Sequence, residues 1–225
     1  MKQYIRMLLP ILALFVAACS KDNKDAPDAF IKGTVKYGAQ AIGLRSNGVQ
    51  MELWQHGYQL FVKIPVHIDQ DGTFSANVFE GNYKLTLLRG NGPWADRTDS
   101  IDVTVKGTVN VDVPVDPYFV LNNINFQRNG NMIDATFNVQ SVNTSKAFEL
   151  VRLYVGQTII TDQNNNAGSI TKNAAALPDL SQPVSMSVAI PGSMTGKKSV
   201  FVRLGVKTVG VAELLYSAPV EISLN

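Results

Sequence analysis

The chain of 225 residues contains one cysteine, Cys19, so an intrachain disulfide and a cysteine-built metal cluster are both excluded. Histidine is nearly as scarce, with only His56 and His67. A zinc site would need clustered histidines or an H-E-x-x-H helix, and neither is present. A serine hydrolase would show G-x-S-x-G, which the stretch Gly192-Ser193-Met194-Thr195-Gly196 does not match in spacing. Nucleophilic catalysis needs a nucleophile, a base and an orienting acid. No such set can be assembled, so the chain is expected to be no enzyme, with no catalytic residues, no metal and no cofactor. Both histidines are expected at the surface or at strand ends. There is no second long apolar run, and no convincing amphipathic helix before residue 116. Nor is there a concentrated basic face, which argues against nucleic acid as a partner.

What is present begins at the N-terminus. Lys2 and Arg6 precede an apolar run from Met7 to Val16, broken once by Pro10. A span needs about 20 apolar residues, so this run suits a signal-peptide core instead. Val16-Ala17-Ala18-Cys19 resembles a bacterial lipobox, which implies cleavage after residue 18 and acylation of Cys19. Acyl chains anchor to a bilayer at about 0.8 kcal/mol per buried CH₂. Loss of residues 1–18 removes Lys2 and Arg6 from the 20 basic side chains, leaving them equal to the 18 acidic ones. Residues 19–29 are polar, charged and interrupted by Pro27, a composition expected of a tether. Lys21, Asp22, Lys24 and Asp25 resemble the export signal that Bacteroidetes place after the lipidated cysteine. That likeness implies an outer-membrane, cell-surface location; a plain linker explains the same residues without it.

The remainder reads as all-β. Phe30 to Tyr37 alternates apolar and polar residues with period two. Runs rich in β-branched and aromatic residues recur at Val49–Gln55, Leu60–Ile68, Thr73–Val78, Tyr83–Leu88, Ile101–Val105 and Thr108–Val113. Turn signals such as Asp71-Gly72, Gly81-Asn82 and Lys106-Gly107 separate them, as expected of a sandwich. Pro114 and Pro117 mark a boundary near residue 116 and are expected to stiffen it. Strand patterns then resume at Tyr118–Gln127, Met132–Val139, Ala147–Val155, Val184–Ile190, Val200–Thr208 and Glu213–Ser223. The expected layout is two β-sandwich domains, 30–116 and 117–225. Residues 155–183 are expected to be a long connection, functional or mobile, with one short strand at Thr158–Thr161.

Several of these stretches carry a resemblance. Ile31-Lys32-Gly33-Thr34-Val35, Gly48-Val49 with Glu52-Leu53, Asp71-Gly72-Thr73-Phe74 and Glu80-Gly81-Asn82-Tyr83-Lys84-Leu85 resemble the carboxypeptidase-regulatory-like, transthyretin-like sandwich. The second block reads as immunoglobulin-like. The whole layout resembles a group of Bacteroidetes surface lipoproteins of unknown function, linked to glycan-import loci. That resemblance implies glycan capture, with polysaccharide, the lipid bilayer and components of an outer-membrane glycan transporter as partners. The competing reading is a structural or protein-docking module of a membrane-anchored complex.

Candidate contact residues come from the aromatics. The nine-residue stretch from Arg89 to Arg97 holds Arg89, Asn91, Trp94, Asp96 and Arg97 around two glycines and Pro93. An indole offers a stacking face for a sugar ring, and the charged and amide groups suit hydroxyls. Trp94 is therefore expected to be exposed for contact, with Tyr58 as a further ligand-binding candidate. Trp54 ends a strand and is expected in the core. Asp69-Gln70-Asp71-Gly72 lacks the later ligands of a calcium loop and reads as a hairpin turn. Asp99-Ser100-Ile101 resembles a Bacteroidetes O-glycosylation triplet and reads equally as the start of a strand.

Overall fold

The computed structural model describes residues 25–57 and 61–225. Cys19, Tyr58 and the expected signal segment lie outside them. Among the described residues the chain forms two β-sandwiches in sequence.

In the first sandwich, β1 (Ala29–Tyr37) is central to one sheet. It pairs antiparallel with β2 (Gln40–Ala41) and β5 (Thr73–Val78), and parallel with β8 (Thr108–Pro114). The facing sheet has the order β4 (Lys63–His67), β3 (Gln50–Gln55), β6 (Gly81–Leu87), β7 (Ile101–Val105). Alternation sets the inner faces. Ile31, Val35, Met51, Leu53, Phe74, Tyr83, Leu85 and Val103 meet between the sheets. Gly33 shows why the first strand carries a glycine. A Cβ there would lie 1.8 Å from the Val111 carbonyl oxygen of β8, so only glycine permits the close parallel pairing.

Register fixes the two ends of this sandwich. Ala29 pairs with Val78, Phe30 with Thr108, and Gln55 with Tyr83. The start of β1, the β3–β4 loop, the β5–β6 turn and the β7–β8 turn therefore share one end. The opposite end carries the β2–β3 loop, the β4–β5 turn and the chain leaving β8.

The second sandwich packs a sheet of β13 (Val184–Ala189), β10 (Met132–Ser141) and β9 (Phe119–Asn129) on a larger one. The larger sheet has the order β12 (Gly168–Asn173), β11 (Phe148–Gly156), β14 (Ser199–Thr208), with β15 (Leu215–Tyr216) and β16 (Val220–Ser223) both against β14. In β14, Val200, Val202, Leu204 and Val206 fill the core, yet Arg203 on the other face is also fully buried. A strand buried on both sides marks the contact with the first sandwich.

Two expectations about the second block are corrected. Thr158–Thr161 is not a strand. The added strand is Gly168–Asn173, paired with β11 from Leu150↔Asn173 to Val155↔Gly168. None of its residues is buried and Ile170 is its one large apolar side chain, so no alternation marks this edge strand, which is held by its ladder. The connection before it is not loose either. Asp162 is buried, and its Oδ1 accepts from the backbone N–H groups of Asn164 (2.8 Å) and Asn165 (2.9 Å). Glu213–Ser223 divides into β15 and β16, separated at Ser217 and Pro219.

Candidate functional site

Trp94 is not at the surface: it is 3% exposed and belongs to the core. Its backbone bridges to Pro117, Ala95 N–H donates to the Asp116 carbonyl, and Tyr118 N–H donates to the Pro93 carbonyl. Gly92 explains the glycine-rich sequence around it. A Cβ on Gly92 would come within 2.2 Å of the indole Cε2, so the loop folds over the ring. Glycine and proline here shape a lid on a buried indole, rather than presenting one.

The neighbours of Trp94 serve the same loop. Asn91 Oδ1 accepts from Gln50 N–H at 2.6 Å, and Asp96 Oδ1 accepts from Gly90 N–H at 2.7 Å. Arg97 forms a two-pronged ion pair with Asp99 and donates to the Pro114 carbonyl at 2.9 Å. Its guanidinium pKa is raised by the hydrogen bonds it donates to the Asp99 carboxylate. Arg89 is exposed. Arg89, Asn91, Asp96 and Arg97 are thus not gathered around a stacking ring. The turn at Asp71 is as expected: its Oδ1 accepts from Thr73 N–H (3.0 Å) and Thr73 Oγ1 (2.7 Å).

The other tryptophan reverses its expected role. Met51 and Leu53 point into the core, so Glu52 and Trp54 point outward from β3. Trp54 stacks at 5.0 Å on Phe61, which is 52% exposed, and Phe61 lies 5.1 Å from the His56 ring. The interplanar angles are 35° and 38°. Cross-strand partners flank the indole: Trp54 sits opposite Lys63 on one side and Lys84 on the other. Each ammonium is paired, Lys63 with Glu52 at 2.7 Å and Lys84 with Asp102 at 2.6 Å. Asn82 and Thr104 continue the same face, with Thr104 Oγ1 donating to Asn82 Oδ1 at 2.9 Å. The result is an aromatic cluster, with Trp54 half-buried and Phe61 exposed, on a charge-balanced polar sheet face. Sequence reasoning overlooked it although the signal was present. Glu52 and Trp54 are two residues apart on a strand whose intervening positions are Met51 and Leu53.

A second feature couples the sandwiches. Arg203 donates to the carbonyls of Ser217 (2.7 Å), Leu44 (2.9 Å) and Gln70 (2.8 Å). Its guanidinium lies 4.6 Å from the Tyr216 ring centroid. Burial pushes the Arg203 pKa down to about 10, which still leaves it charged at neutral pH. Arg45 adds a two-bond ion pair with Glu213, at 2.5 and 3.1 Å. A groove of about 360 Å³ runs along the edge strands β4 and β5, between Ile64–His67 and Ser75–Asn77.

Comparison with known proteins fits this two-part architecture. The N-terminal domain of a protein of unknown function, DUF3823, matches residues 29–116, and the domain of unknown function DUF3823_C matches residues 119–221. The chain belongs to the DUF3823 family. Among solved structures, a family member from Bacteroides ovatus is 34% identical, with a TM-score of 0.82 over 88% of this chain and 100% of that one. A member from Parabacteroides merdae is 32% identical, with a TM-score of 0.81 over the same shares. A Bacteroides uniformis structure, described as a candidate carbohydrate-binding protein, shares the DUF3823 fold at 21% identity. Its TM-score is 0.72, again over 88% of this chain and 100% of that one. No curated protein matches the chain. The two DUF3823 domains match the two sandwiches.

Proposed function

We propose that this DUF3823 protein is a non-catalytic, lipid-anchored glycan-binding accessory of an outer-membrane polysaccharide-uptake system, and that its contact surface is the Trp54 platform. The observation that carries the reading is the Trp54–Phe61–His56 cluster on an outward sheet face. Sugar rings have an apolar CH face that stacks on such rings, while ion-paired lysines and carboxylates beside it take hydroxyls. Because Lys63 and Lys84 are each balanced by a carboxylate, the surface favours a neutral glycan over an anionic one. The carbohydrate-binding description of the Bacteroides uniformis relative agrees with the proposal. The anchor reading rests on Val16-Ala17-Ala18-Cys19.

The interaction is expected to be weak. A stacked ring adds about 0.5–1.5 kcal/mol beyond its burial. A site of this kind suits a millimolar constant, near −4 kcal/mol. Tight capture then comes from partners or repeated contacts. The test is a glycan array with the ectodomain, followed by calorimetry on Trp54→Ala and Phe61→Ala. Both variants should lose binding of the array's best ligand. Retained affinity in both would remove the platform from the site, and an empty array would favour the protein-docking reading.

A further inference from the structure

The chain enters the first sandwich at the end opposite the second sandwich. Ala29 opens β1 beside Val78 and near Gly107, whereas the second sandwich holds Leu44 and Gln70 at the other end. The entry end carries exposed apolar side chains, as do loops of the second sandwich such as those of Ile159 and Val209. Val62, just before β4, is 62% exposed, and Phe79, in the β5–β6 turn, is 41% exposed. Phe79 is set in its turn by Tyr83, whose Oη donates to the Phe79 carbonyl at 2.8 Å. Neither side chain belongs to the core or to the contact between sandwiches.

We infer that the loop end bearing Val62 and Phe79 lies against the lipid headgroup region of the membrane that holds the chain. The inference rests on the lipid-anchor reading of Cys19, and goes beyond it in saying which surface faces the bilayer. Ten residue steps lead from Cys19 to Ala29 and can reach at most roughly 33 Å. The entry end is therefore confined near the bilayer, while the second sandwich stands beyond it. Confinement matters energetically. Two exposed side chains would bind a membrane poorly from solution, but a tether makes their contact intramolecular and raises their effective concentration to the millimolar range. A lipid surface is the occupant that the chain's own entry point brings there. The Trp54 platform borders this end, since His56 and Phe61 belong to the same β3–β4 loop as Val62, while the indole and the Lys84–Asp102 pair lie further along the sheet face.

The test uses the full-length protein purified from membranes. Cys19 is the only native cysteine, so once acylated it leaves an introduced cysteine as the sole thiol. Val62→Cys, Phe79→Cys and, as control, Ile159→Cys would carry an environment-sensitive fluorophore. Ile159 is 52% exposed and lies in the second sandwich. The labelled proteins go into vesicles of phosphatidylethanolamine and phosphatidylglycerol containing a shallow nitroxide-labelled lipid. Quenching at 62 and 79 several-fold above that at 159 supports the inference. Vesicle-bound protein with equal quenching at all three positions overturns it and leaves the anchor standing. Protein recovered only in the soluble fraction overturns the anchor reading and the inference together. Shielding of 62 and 79 in cells, without quenching in vesicles, would assign the loops to a protein partner instead.

Discussion

Arg203 of the second sandwich donates to the backbone carbonyl of Gln70 in the first, 133 residues earlier, at 2.8 Å. The same nitrogen reaches the Leu44 carbonyl, so one buried cation ties the β14 strand to two loops of the neighbouring domain. The Arg45–Glu213 ion pair and the Gly43–Tyr216 backbone bridge join the same two domains.

Arg203→Met keeps the side-chain bulk but removes the donor to the Ser217 and Leu44 carbonyls, while the Gln70 carbonyl keeps the Leu44 N–H at 3.1 Å. A buried unpaired polar group costs about 1–3 kcal/mol, so the loss should be about 3 kcal/mol or more. Urea unfolding followed by separate probes in each sandwich should change from one transition to two. A single transition with an unchanged midpoint would show that Arg203 does not couple the domains.

Trp94→Ala is expected to cost about 3–5 kcal/mol as a core truncation. Gly92→Ala should cost about 1–3 kcal/mol through overpacking against the same indole. Neither change touches the Trp54 platform. Thermal melts should fall for both, while glycan affinity of the folded fraction stays at the wild-type value.

Asp162→Ala removes the acceptor for the Asn164 and Asn165 N–H groups in the connection between β11 and β12. A cost of about 1–3 kcal/mol is expected. Hydrogen exchange should accelerate at residues 163–166, while the ladder of β12 with β11 keeps residues 168–173 protected. Fast exchange at 168–173 in the wild-type protein would contradict the strand.

The fold was largely legible because burial in a sandwich writes itself into the sequence as alternation. Met51 and Leu53, or Ile133, Ala135, Phe137 and Val139, leave a period-two record. β12 left none, since Ile170 is its one large apolar residue, none of its side chains is buried, and it is held by backbone pairing. The site was harder to read for a different reason. The Arg89–Arg97 stretch has the composition of a surface loop, but Gly92 is there to admit an indole and not to turn the chain toward solvent. Whether a ring beside glycine and proline points in or out depends on what packs over it. Here that is Pro117 and Tyr118, more than twenty residues downstream. Trp54 was the readable one, sharing a strand face with Glu52. Arg203 could not be recognised from its own strand, where it looks like an ordinary outward-facing residue. Its burial comes from a domain that packs on that face only in the folded molecule.

Trp54 lies on the outward sheet face, whereas Trp94 is buried. The chain has two tryptophans, so a ¹⁵N-labelled ectodomain gives two indole N–H resonances. Assigned by Trp54→Phe, they can be followed while a neutral oligosaccharide chosen from the array is added. The Trp54 resonance should shift progressively to saturation in the millimolar range, and the Trp94 resonance should stay in place. A stationary Trp54 signal, or a shift confined to Trp94, would contradict the proposed site.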